Sequence, residues 1–234
     1  MSVHGSPQAG RRRHQMKTTL RFIALGFFLL VACLVVFLTL WPRPTDTTEP
    51  RVFSGDGALL DYCSPATLDG QGLSADEIPK AYTPDCGFSR MPMPILHNCR
   101  EPIATGIPDM RGLWLAESGF IGHIERIEQC GNRMVVTSAG LIHDFRVDGT
   151  LKNGARDIQT YCTNLASAIK VDDEGKIIFR LFNLFDTVSR HLDSGDMIFT
   201  FVDGKQTRMQ RACSIPEEDR GMYEAGLEYN SESS

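Results

Sequence analysis

His97, His123, His143 and His191 are the residues best suited to acid–base work or metal ligation, because imidazole changes charge near neutral pH. None stands in a spacing that a reaction requires. The chain has no His-x-x-x-His pair, no Ser/His/Asp motif and no Gly-rich phosphate loop. His143 is the most informative of the four. It lies between Leu141 and Phe145 on one face of an expected strand, so His143 and Phe145 are candidates to line an interior and meet the polar group of a ligand. The alternative is a core or rim histidine satisfied by backbone groups. Asp144 is adjacent in sequence, but neighbouring strand residues project to opposite faces, so the two form no dyad. Asp69, Gln71 and Asp76 hint at a calcium loop, yet Leu73 and Ala75 occupy positions where oxygen ligands belong. No catalysis, no cofactor and no metal are expected.

Cysteine carries the second kind of chemistry. Cys33 falls within a long apolar run, whereas Cys63, Cys86, Cys99, Cys130, Cys162 and Cys213 all follow it. An even set on one side of such a run reads as disulfides formed in an oxidising compartment. No pair has the short spacing of a zinc knuckle. Six cysteines allow 15 pairings, and parity constrains them. Three precede Met110 and three follow it, so if all six pair, at least one bridge joins the two segments.

The run itself, Phe22 to Trp41, is twenty residues without a charge. At 1.5 Å per residue it matches the hydrocarbon core of a bilayer, about 30 Å thick. Trp41 suits the interface, and Pro42 ends the helix. Arg11, Arg12, Arg13, Lys17 and Arg21 give residues 1–41 a charge of +5, against −5 for the whole chain, so residues 42–234 carry −10. Basic residues before the span predict a cytoplasmic N-terminus and a periplasmic or extracellular C-terminal portion on the inner (cell) membrane. A cleaved signal peptide would need a shorter apolar core and small residues before the cut. A lipoprotein is the alternative: Leu30-Val31-Ala32-Cys33 resembles a lipobox, with translation starting at Met16. The acidic outer portion disfavours nucleic acid as a partner.

These features divide the chain into a basic N-terminus (1–21), a transmembrane helix (22–41), a Pro-rich, disulfide-held stalk or arm (42–109), a β-barrel domain (110–213) and an acidic tail expected to be disordered (214–234). Ten of the twelve prolines lie between Pro42 and Pro108. Ser74 with Glu77 has the pattern that caps a short helical turn, which Pro79 keeps short. After Met110, short runs rich in Val, Ile, Phe and Thr recur, separated by turn signals such as Gly131-Asn132 and Asp203-Gly204-Lys205. Nine candidate strands result: Arg111–Glu117, Gly122–Cys130, Arg133–Ser138, Leu141–Val147, Ala168–Val171, Lys176–Phe182, Thr187–Leu192, Met197–Val202 and Gln206–Cys213. The expected fold is mainly β, a small antiparallel up-and-down barrel of eight to nine strands. Glu125, Arg126 and Glu128 make both faces of the second strand partly polar, which reads as a charged edge, with a polar-lined cavity as the alternative.

Gly112-Leu113-Trp114 on the first strand, with a basic residue on the last, resembles the opening and closing elements of lipocalin-like (calycin) barrels. The resemblance implies that an arginine of the final strand covers the Trp114 ring and closes the barrel floor. Parity favours Arg211, on the face of Met209 and Cys213, over Arg208. Ala116 departs from the asparagine of avidin-type barrels, which share the Gly112, Trp114 and Gly119 spacing. The functional expectation is a membrane-anchored binding module for a small amphipathic ligand, with Trp114, His143 and Phe145 near it. The alternative is an interaction or inhibitor module with an envelope protein partner.

Overall fold

The computed structural model describes residues 8–40, 57–63, 72–81, 91–117, 123–138, 141–156 and 164–217. The chain divides into two units, Met1–Pro42 and Arg43–Ser234. The described residues of the first form one helix, α1 (Gln8–Leu40), whose Phe22–Leu40 segment is long and apolar enough to cross a membrane. At 1.5 Å per residue those 19 residues extend about 28 Å. Its apolar side chains stand exposed along the helix, as a surface suited to lipid requires. Thr39, a polar member, folds its hydroxyl back to donate to Val35 O at 2.9 Å. Trp41 and Pro42 lie outside the described residues.

The second unit holds ten strands: β1 (Gly112–Ala116), β2 (Ile124–Cys130), β3 (Arg133–Ser138), β4 (Leu141–Arg146), β5 (Lys152–Arg156), β6 (Asn164–Val171), β7 (Ile177–Leu181), β8 (Phe185–Asp193), β9 (Asp196–Thr200) and β10 (Gln206–Ala212). Nine correspond to the candidate strands. The tenth, β5, is a short member that pairs with β6 through an irregular register. All neighbours pair antiparallel in the order β4-β3-β2-β1-β10-β9-β8-β7-β6-β5. The first strand therefore meets the last, and the nearly closed barrel has its seam between β4 and β5. Beside that seam, Gly149 N–H donates to Ile169 O at 2.8 Å, tying the β4–β5 connection to β6.

Alternation along the strands fills the inside. Trp114, Ile127, Met134, Val136, Phe145, Ile169, Ile177, Phe179, Met197, Phe199 and Met209 belong to one buried cluster. The outward faces of β1–β4 are covered too, by the arm that precedes β1. Ala75, Ile78, Ala81, Ile95 and Leu96 pack on Val135 and Ile142, and Ala58 and Met91 pack on Leu113 and Ile124. Ile215, just beyond β10, joins the second of these clusters. The Ser74–Glu77 turn forms as its pattern predicts, with Ser74 N–H donating to the Glu77 carboxylate at 2.7 Å.

Two outward arginines pin this arm. Arg133 donates to both oxygens of Asp144 (2.9 and 2.6 Å) and to the carbonyls of Ala75, Ile78 and Pro79. Arg126 reaches Glu128 at 3.0 Å and the Pro92 carbonyl at 2.5 Å. Disulfides Cys63–Cys213 and Cys99–Cys130 fasten the same segment, both linking residues before Met110 to residues after it. Cys86 and Cys162 lie outside the described residues, as does the acidic tail beyond Glu217. The charged-edge reading of β2 is overturned. The strand pairs on both sides, with β1 and β3, and all seven of its residues are buried. Its charges are tolerated because each has a partner, Arg126 and Glu128 under the arm and Glu125 within the barrel.

Candidate functional site

A buried ion pair crosses the barrel interior. Glu125 on β2 and Arg190 on β8 meet through two hydrogen bonds, Arg190 Nε to Oε2 at 2.7 Å and Nη2 to Oε1 at 2.6 Å. Strand parity explains why both point inward: Glu125 alternates with Arg126, and Arg190 shares a face with Val188. His123, two residues before Glu125 and on its face, places Nε2 3.1 Å from Oε1. Burial pushes the Glu125 carboxyl up, but the Arg190 charge, its hydrogen bonds and His123 outweigh burial and hold it well below the ordinary carboxylate range.

Aromatic rings surround the pair. The guanidinium carbon of Arg190 lies 4.7 Å from the Phe179 centroid and 4.6 Å from that of Phe199. Phe145 meets Phe179 edge-on at 5.8 Å, and Phe201 meets Phe199 at 4.5 Å. His143 lies 6.2 Å from Phe145 and 6.4 Å from Phe179. His123 lies 5.2 Å from Phe199. One atom of this assembly is not satisfied: Arg190 Nη1 is buried and has no hydrogen-bond partner.

The residues singled out in the sequence distribute as follows. His143 and Phe145 belong to this aromatic wall, and Trp114 is the cross-strand neighbour of Glu125. Trp114 is fully buried, and its indole N–H donates to Met110 O at 2.9 Å. Arg211 stands over the Trp114 ring, 4.6 Å from its centroid, with Nη1 donating to Arg111 O at 2.6 Å. Gly112 permits this stack: its φ of +142° suits glycine, and a Cβ there would approach Arg211 Nη1 to 3.2 Å. His97 lies on the arm and contacts Pro94 O, and His191 is on the outward side of β8; neither joins the interior group. Glu125 and Arg190 were not recognisable as a pair from sequence. The available signal was a charged residue at an inward parity position on each strand.

A concavity lies outside the barrel, between the arm and the outward face of β1 and β2. It is a cleft of about 610 Å³ lined by Leu60, Tyr62, Met93, Leu96, His97 and Leu113, with Arg111 and Arg211 at its border. No protein-family model matches the chain, and no curated protein matches it in sequence.

Proposed function

We propose that this protein is a non-catalytic binding module, held at a membrane by α1 with its N-terminus cytoplasmic, which receives a small amphipathic ligand in the aromatic interior of its barrel. The observation that carries the reading is the unpartnered Nη1 of Arg190, a buried donor set among Phe145, Phe179, Phe199 and His143. A few placed polar groups within apolar walls are what small-molecule sites share. Catalysis fits poorly with the same groups. A carboxylate held far below neutral pH by Arg190 is a counter-ion and a weak general base. The Arg211–Trp114 stack beside Gly112 supports the lipocalin-like resemblance. Native mass spectrometry of the full chain, released from detergent under mild activation, tests the proposal. A co-purified small molecule that is lost in the Phe179→Ala variant is the expected result, and a wild-type chain of bare mass that no ligand library stabilises overturns it.

The cleft under the arm favours a second reading, a module that binds an envelope protein. It combines apolar side chains, Met93 among them exposed, with the exposed basic Arg111 and Arg211. Crosslinking from positions 60 and 93 in native membranes distinguishes the two, since a single recurrent partner supports this reading.

A further inference from the structure

Resting on the interior-site reading, we infer that the ligand presents an uncharged hydrogen-bond acceptor, such as an amide or ester carbonyl, to Arg190 Nη1, and that carboxylates are disfavoured there. The guanidinium carries five N–H donors on three nitrogens. Nε and Nη2 each donate one hydrogen bond to Glu125, at 2.7 and 2.6 Å. Phe179 and Phe199 stand over its carbon at 4.7 and 4.6 Å, so a further partner must arrive at the nitrogen rim. Nη1 is what remains, and Arg190 is only 4% exposed.

Charge then selects the partner. Arg190 and Glu125 already balance one another inside a barrel whose walls are apolar. A carbonyl oxygen at Nη1 accepts the orphaned hydrogen bond and leaves that balance intact. A carboxylate would accept it equally well in geometry, but would leave one net negative charge buried beside Glu125. An aliphatic or aromatic group would leave the donor unmet. Among the described residues, the titratable side chains beside the pair are His123, on Glu125, and His143, on Phe145 and Phe179. Neither brings a fixed positive charge.

The test uses the full chain in lipid nanodiscs at pH 8, with empty nanodiscs subtracted. Saturation-transfer NMR titrations compare straight-chain primary amides with the carboxylates of equal length, from six to ten carbons. The expected result is that each amide binds at least tenfold more tightly than its carboxylate. In the Arg190→Lys variant, which keeps the charge but lacks the guanidinium rim, that preference should fall to within about twofold. Carboxylates that bind as tightly as amides overturn the inference while leaving the interior site standing. An unchanged preference in an Arg190→Lys variant with wild-type circular dichroism also overturns it, because another group would then be selecting. If no member of either series saturates, Nη1 holds water only, and the interior-site reading falls together with the inference. The comparison within the wild-type chain needs no variant, so a misfolded Arg190→Lys does not blunt it.

Discussion

Arg190 joins Glu125 across the barrel from a strand that is not its neighbour, bridging 65 positions of sequence with bonds of 2.7 and 2.6 Å. The pair thus ties β8 to β2 through the interior, where ladder hydrogen bonds cannot reach. Removing one partner leaves an uncompensated buried charge, a change that costs about 3–5 kcal/mol in comparable pairs.

Glu125→Gln should therefore destabilise the β-unit at neutral pH, and it should also change the response to acid. The folded carboxyl titrates below its unfolded value, so its contribution is present above the unfolded value, about 4.3, and is lost as pH falls towards the folded one. Wild-type melting temperature should drop steeply below about pH 4.5 on this account. The variant should start lower and lose less over the same interval. Thermal melts followed by circular dichroism between neutral pH and pH 3 check both halves, and parallel slopes would count against the assignment.

Residues 72–81 of the arm should loosen when their arginine anchor is removed. Arg133 satisfies Asp144 and three arm carbonyls at once, from a side chain 5% exposed. Arg133→Ala leaves Asp144 buried with the Ala81 N–H as the one donor to it among the described residues, and should cost about 3–5 kcal/mol. Hydrogen exchange over residues 72–81 should accelerate well beyond that of β7–β9. Arg146→Ala, which breaks a pair with the exposed Asp76, should change exchange little by comparison.

The barrel was legible because its signals are local. Turn pairs such as Gly131-Asn132 and short apolar alternations mark strands wherever the chain happens to fold. β5 escaped that reading because Lys152–Arg156 has neither β-branched nor aromatic residues and exists through its pairing with β6. The arm escaped it for a related reason. Irregular backbone has no period, and what holds residues 72–81 in place is Arg133, a residue more than fifty positions away. The interior pair is a contact between non-neighbouring strands, and no periodicity encodes which inward charges will meet.

Trp114 should become more accessible when Arg211 is truncated. Trp114 is fully buried, and the arginine stacked on it is itself exposed, so the guanidinium acts as a cover. Arg211→Ala should raise acrylamide quenching of Trp114 fluorescence at a cost of about 1–2 kcal/mol. The second tryptophan, Trp41, is replaced by Phe in both chains so that one fluorophore reports. Gly112→Ala should have a similar optical effect through a different cause, since alanine at φ +142° is strained and its Cβ crowds Arg211 Nη1.

Thiol counting tests the compartment argument. Cys63–Cys213 and Cys99–Cys130 account for four of the six cysteines beyond the apolar helix. Under denaturing, non-reducing conditions the Cys33→Ser chain should therefore show at most two free thiols. Reduction should lower stability by about 2–4 kcal/mol per bridge, because the unfolded chain regains the freedom that each bridge removes. Six free thiols in protein isolated from its native membrane would contradict an oxidising location.

The mode of attachment separates the two membrane readings through Cys33. An uncleaved span holds by burying Phe22–Leu40 in lipid and has no need of the thiol, which is exposed and unpaired on the helix. A lipoprotein holds by acyl chains on that same cysteine after losing everything before it. Cys33→Ser should therefore leave the chain in the alkaline-carbonate pellet at its full mass of 26.0 kDa. Release of the variant into the supernatant, or a wild-type chain that begins at an acylated Cys33, would show that the apolar residues before it serve export and not anchorage. The persistence of Leu34–Leu40 as a continuous apolar helix beyond the cysteine favours the span, since a lipid-anchored chain gains nothing from seven further residues that water would have to solvate.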